Sequence, residues 1–164
     1  LAAGERSRYT FSIRDSELRS TVTGTVLLAV EVQGALPILQ GLTPVATHSD
    51  ANGSYALFAV NRAGLNLIEV TSLTPSLPHS LTLFVAGDIN RDGRVDGVDS
   101  GLLEGAIASG VYNTTYDFNR DGVINATDVQ IIGSNYGFRA NRAPVVTSTS
   151  VLTHTDLDTS IAID

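Results

Sequence analysis

The sequence predicts a multidomain β plus α chain: an N-terminal antiparallel β-sandwich or jelly roll, then a pair of loop-helix repeats. Three observations predict this. Between Tyr9 and Val85, short runs of β-branched and aromatic residues alternate with polar ones and are separated by turn residues. The stretch GDINRDGRVDGVDS, residues 87–100, returns in altered form as YDFNRDGVINATDV, residues 116–129. Each copy then runs into a segment whose apolar residues fall at helical spacing.

In chain order, Tyr9-Thr-Phe-Ser-Ile13 alternates as a half-buried strand, and Thr21 to Gln33 reads as one long strand rich in Val and Thr. Further strands are expected at Val45 to His48, Tyr55 to Asn61, Leu65 to Thr71 and Ser80 to Val85. Asp50-Ala-Asn-Gly53 and Arg62-Ala-Gly64 supply turns, because Gly and Asn tolerate the positive φ that tight turns need. Leu73-Thr-Pro-Ser-Leu-Pro78 reads as a loop, since its prolines cannot donate to a ladder. No segment before Ala86 has the period and length of a helix. Several short antiparallel strands of this kind suggest a sandwich. The expected division is residues 1–86 as the β-sandwich, 87–140 as the repeat domain, and 141–164 as a tail or the first strand of a following domain.

Composition excludes several function classes. In 164 residues, 43% are hydrophobic, enough for real cores. Seventeen acidic against ten basic side chains give a net charge of -7, which disfavours nonspecific attraction to nucleic acid or anionic membrane. With no Cys there is neither a disulfide framework nor a Cys-based zinc site. No apolar run is long enough to span a bilayer. The start at Leu1, with neither initiator Met nor a basic-then-apolar leader, is expected of a processed product or a piece of something longer.

The repeated stretch is explained by coordination chemistry. In a twelve-residue calcium loop, side chains at positions one, three and five, the carbonyl at seven, a group or water at nine and a carboxylate at twelve surround the ion. Position six is Gly because the chain turns sharply there. The first copy offers Asp88, Asn90, Asp92, the Arg94 carbonyl, Asp96 and Asp99, with Gly93 at the turn. The second offers Asp117, Asn119, Asp121, the Val123 carbonyl, Asn125 and Asp128, with Gly122 at the turn. So many hard oxygen donors suit calcium, whereas magnesium prefers tight octahedral sites that retain water and zinc recruits His or Cys. An isolated Asp-x-Asn-x-Asp-Gly can be an ion-free Asx-rich turn; two copies with every slot filled point to metal, and to two calcium ions. Without cations, the mutual repulsion of the loop carboxylates would oppose compaction.

After the loops, Val98, Leu102, Leu103 and Ile107 are expected on one helix face, with Thr127, Ile131, Ile132 and Tyr136 in the corresponding places. What precedes each loop is not helical. Leu81 to Val85 reads as a strand, and Gly110 to Tyr116 is too short for a stable helix. The repeat is therefore EF-hand-like but keeps only the exiting helix.

Duplicated Asp-x-Asn-x-Asp-Gly loops that each run into an apolar-faced helix resemble the type I dockerin family over about Gly87 to Phe138. This resemblance implies an extracellular, secreted or cell-surface setting in bacterial assemblies and a cohesin partner. It makes the twelve loop residues above calcium ligands or near-ligands. It also implies partner contacts at loop positions ten and eleven, here Gly97 and Val98 in one copy, Ala126 and Thr127 in the other. Cellulosomal members often carry Ser-Thr there and a later basic residue; this chain carries neither, so the resemblance does not extend to a standard cellulosomal partner. The front half, through Tyr9 to Ile13, Val26 to Val30, Tyr55 to Val60 and Leu65 to Val70, is similar to the bacterial pre-peptidase C-terminal type of jelly roll. Asn141-Arg-Ala-Pro-Val-Val146 is similar to the first strand of cadherin-like or immunoglobulin-like repeats. A Thr/Ser-rich tail, or an extra strand on the front sandwich, explains the same residues.

Catalytic chemistry is not evident. His48, His79 and His154 lie on separate segments without a paired base or nucleophile motif, and phosphate-loop, dinucleotide and nucleophile-elbow patterns are missing. Three glycosylation sequons, at Asn52, Asn113 and Asn125, are of a pattern common by chance. The sequence therefore reads as a noncatalytic calcium-binding module for protein-protein assembly. The alternatives are a calcium-rigidified spacer packing on adjacent β domains of a large surface protein, and a carbohydrate-binding accessory to a secreted enzyme. Because the sandwich rests on apolar burial and the repeats on metal, chelation is expected to melt the helices and spare the strands.

Overall fold

A computed structural model describes residues 6–33, 35–71 and 81–140, with the backbone of 159–162. Strands β1 (Arg6–Ile13), β2 (Val26–Val32), β3 (Ile38–Leu39), β4 (Pro44–Asp50), β5 (Gly53–Val60), β6 (Gly64–Thr71), β7 (Leu81–Val85) and β8 (Thr159–Ala162) form two sheets of four. One runs β3-β6-β1-β8, the other β4-β5-β2-β7. The β4–β5 hairpin turns at Asp50-Ala-Asn-Gly53 as expected, and Asp50 closes it, its Oδ1 accepting from the amides of Asn52 at 2.7 Å and Gly53 at 3.2 Å.

Successive strand residues face opposite sides, so register decides what each face presents. Val30 opposite Ala56 and Leu28 opposite Phe58 form the inner face of the second sheet, turned toward Phe11, Ile68 and Val70 of the first. All seven are almost fully buried. The opposite face carries Ala29 beside Leu57, Glu31 beside Tyr55, and Phe84 beside Ala29. Here Ala29, Tyr55 and Leu57 are buried as well. A sheet buried on both faces needs a third layer. It is supplied by the two acidic loops and α3 (Ala126–Asn135), with helix α2 (Gly97–Ser109) packed against α3.

One apolar core therefore runs from the sandwich into the repeats, through Val95, Leu103, Phe118, Ile131, Ile132 and Phe138. Asn135, at the end of α3 and wholly buried, joins the layers. Its Oδ1 accepts from the Leu27 amide at 2.7 Å, and its Nδ2 donates to the carbonyls of Leu27 at 2.8 Å and Ala86 at 2.6 Å. The side chain thus completes the β2 ladder where β7 ends.

Several expectations need correction. Only the later part of the Thr21 to Gln33 run is strand, and the residues before it form α1 (Asp15–Ser20), where no helix was expected. Six residues are too few to show a period. The signal is local instead: the Arg14 amide donates to Glu17 Oε2 at 2.7 Å, Asp15 pairs with Arg19, and Leu18 is buried. The two-residue β3 also went unforeseen, because its strand character comes from pairing with Glu69 and Ile68 rather than from alternation. The sandwich is not wholly antiparallel, since β8 runs parallel to β1. The loop expected at 73–78, His79, His154 and the 141–146 strand lie outside the described residues.

Gly137 shows how closely the halves meet. Its φ is +89°, and a Cβ there would lie 2.5 Å from the Ser20 carbonyl oxygen. Gly137→Ala is expected to cost about 2 kcal/mol or more, read as a lower denaturant midpoint at unchanged slope.

Candidate metal centre

The two loops are built alike. In the first, Asp88 accepts from the amides of Asp92 at 3.1 Å and Gly93 at 3.0 Å, and Asp92 accepts from the Arg94 amide at 2.9 Å. In the second, Asp117 accepts from Asp121 at 3.2 Å and Gly122 at 2.9 Å, and Asp121 accepts from Val123 at 2.9 Å. Asn90 and Asn119 accept from the same amides as their neighbours, at 3.0 and 3.2 Å. Each loop is thus wound around its own acidic side chains, with Gly93 and Gly122 at positive φ where the chain reverses.

The ninth position of each loop caps the helix, and the twelfth lies in its first turn. Asp96 and Asn125 are the N-caps, accepting from Val98 at 2.9 Å and Thr127 at 2.7 Å. Asp99, wholly buried, returns a bond to the Asp96 amide at 2.9 Å and reaches the Ile89 amide at 2.8 Å. Asp128 does the same toward Asn125 at 2.9 Å and Phe118 at 2.7 Å. These carboxylates tie the loop's beginning to the helix's first turn.

Asp99, Asp117 and Asp128 are wholly buried, yet none of the ion pairs among the described residues involves a loop carboxylate. Burial pushes the Asp88 carboxyl up to about 6, against the pull of the Gly93 amide, and the Asp99 charge adds to it. Asp128 is raised as well, by burial first, with the Asn125 and Phe118 amides opposing. Buried carboxylates lacking a cationic side chain suit a bound dication.

The donors present fit that role. All are oxygens, and the acidic oxygens that accept a single amide keep a lone pair free, whereas Asp99 Oδ1 accepts from both Ile89 and Asn90 and Asp117 Oδ2 from both Gly122 and Tyr112. Among the described residues, no three His, Cys, Asp or Glu side chains close into a cage of their own. Asn side chains and backbone carbonyls in each loop add further oxygen donors. Asp88, Asn90, Asp92, Arg94, Asp96 and Asp99 lie together in one loop, and Asp117, Asn119, Asp121, Val123, Asn125 and Asp128 in the other. The loops are not joined to each other by a strand pair among the described residues. Arg94 bridges to Arg139 instead, with Val95 donating to the Phe138 carbonyl at 3.1 Å.

The helix faces differ from expectation. On α2 Leu103 is the one buried apolar residue, whereas Val98, Leu102 and Ile107 stand 57%, 39% and 40% exposed. On α3, Ile131 and Ile132 are buried, while Thr127 and Tyr136 are exposed. Four residues per stripe was too wide, because α2 meets its neighbours along a single edge. Gly97, Val98, Ala126 and Thr127 are all exposed. His48 lies far along the chain from the loops, 3.8 Å from Asp50.

Missed in the sequence were Arg91 and Arg120, the fourth residue of each loop. Both have positive φ, 57° and 59°. The repeated Asn-Arg-Asp at 90–92 and 119–121 was the available signal.

Residues 86–135 match the family model for the dockerin type I domain. This supports a dockerin module over that stretch. Dockerin domains generally bind calcium, are noncatalytic and typically dock onto cohesin domains. No match extends over the β-sandwich or gives the pre-peptidase likeness support. No curated protein and no solved structure matches the chain. No helix among the described residues is long and apolar enough to cross a membrane.

Proposed function

We propose that residues 87–140 form a calcium-dependent docking domain beside the sandwich of residues 1–86. It takes two calcium ions, one per loop, and meets a cohesin-like domain outside the cell. The observation that carries this reading is the dockerin match over two loops that share the same core of internal bonds. Calcium neutralises each loop and holds the start of its helix, so binding free energy becomes folding free energy. The exposed Val98, Leu102 and Ile107 offer an apolar strip, and Gly97, Ala126 and Thr127 let a partner backbone approach closely.

A second reading is the calcium-rigidified spacer, favoured by one specific observation: α3 is anchored into the β2 ladder through Asn135. Capture by immobilised cohesin domains, with and without calcium, separates the two. Docking predicts calcium-dependent capture that Val98→Asp with Thr127→Arg abolishes at unchanged melting temperature. Loss of melting temperature in those variants, with no capture by the unaltered chain, would leave the spacer.

A further inference from the structure

Arg91 and Arg120 occupy the same place in the two loops, and both adopt a left-handed backbone that costs a non-Gly residue about 1–2 kcal/mol. Their side chains diverge. The Arg120 guanidinium lies 4.9 Å from the centre of the Tyr55 ring and donates to Glu31 Oε1 and to the Thr114 carbonyl. Only 16% of that side chain is exposed. Arg91 lies 5.9 Å over Phe84 but is exposed, and makes no hydrogen bond or ion pair among the described residues.

Tyr55 completes a second connection. Its hydroxyl donates to the carbonyl of Phe118, the second residue of the same loop, and the Phe118 amide donates to Asp128 at 2.7 Å. Tyr55 and Glu31 are cross-strand neighbours on the outer sheet face. The second loop is therefore gripped at two successive side-chain points by the sandwich, while the first meets it through Arg91 over the Phe84 ring and the Asp88 amide's bond to the Val85 carbonyl at the end of β7. A cleft of about 210 Å³ separates the loops where they face the sheet.

We infer that Arg120 is the positioning residue through which the outer face of the β2–β5 pair holds the second loop in its calcium-binding conformation. The inference rests on the calcium reading above. A loop fixed before binding forgoes its ordering cost, and linkage makes the effect reciprocal: calcium in the second loop strengthens the sandwich contact. The first loop lacks this support and responds to calcium more independently.

Charge alone makes the opposite prediction. Replacing Arg120 removes a cation near the site and frees Glu31, so a purely electrostatic role would tighten calcium binding. Positioning makes it weaker. The test is a calcium titration of the whole chain followed through the Gly93 and Gly122 amide signals, which report the two loops separately. Arg120→Gln is expected to weaken the Gly122 response about tenfold and leave the Gly93 response within twofold. Tyr55→Phe, which changes no charge, is expected to weaken the same site, whereas Arg91→Gln leaves both sites within twofold. An unchanged or tighter second site in Arg120→Gln and Tyr55→Phe overturns the inference while the calcium reading stands. Equal weakening of both sites also overturns it, since that marks general destabilisation. If the unaltered chain binds no calcium at either glycine, the calcium reading fails and the inference with it.

Discussion

Chelating calcium is expected to unfold strands and helices in one transition, lowering the melting temperature of the whole chain by on the order of 10 °C. On the two-ion reading proposed above, two sites held at a hundredfold excess of ion over their dissociation constants would contribute roughly 5 kcal/mol together, and a chain of this size loses about 2–4 °C per kcal/mol. The sequence led to a different expectation, with the helices melting alone. The shared core changes it: Ala29, Leu57 and Tyr55 are buried on the sheet face that the repeats cover. Losing the loops would expose that face to water. Circular dichroism in the far ultraviolet, read with tyrosine fluorescence during heating in EDTA, gives the measurement. Two separate transitions, with the β signal surviving the first, would show that the layers fold independently.

Removing the Asn135 side chain should have the second largest effect. Asn135→Ala leaves the Leu27 amide and the Ala86 carbonyl without their side-chain partner at a buried junction. Each buried backbone group left unsatisfied costs about 1–3 kcal/mol, so a loss of roughly 3 kcal/mol is expected in urea unfolding with calcium present. Asn135→Asp keeps the acceptor for Leu27 but loses both donations and places a charge in the junction, and should be at least as damaging. A change below about 1 kcal/mol for the alanine variant would show that water replaces the side chain and that the junction is looser than its distances imply.

Most of what was legible in the sequence is local. The β4–β5 hairpin could be read from Asp50-Ala-Asn-Gly53, because the Asx bonds that close it span three residues or fewer. The loops could be read because a twelve-residue ring is set by spacing: Asp99 reaches back ten residues to Ile89, and Asp128 ten to Phe118. Helix α1 was local too, but one and a half turns carry no period, and its cap uses Arg14 rather than a usual N-cap residue.

The tertiary structure decided which faces the sequence's apolar residues would cover. Alternation along β5 gave no means of choosing between Tyr55-Leu57 and Ala56-Phe58 as the core face, because both are buried in a sheet with layers on either side. The spacing on α2 likewise could not separate Leu103, which is buried, from Val98 and Ile107, which are not. The parallel pairing of β8 with β1 and the two-residue β3 exist only through partners distant in the chain. The junction bonds join residues 63 positions apart for Tyr55 and Phe118, 89 for Glu31 and Arg120, and 108 for Leu27 and Asn135. By itself the sequence determined the longer strands, the hairpin and the two acidic loops, because neighbouring residues set those through bond geometry and charge. Only the folded chain could assign Arg120 and Asn135 their roles, because contacts at such separations depend on how layers pack rather than on any local pattern.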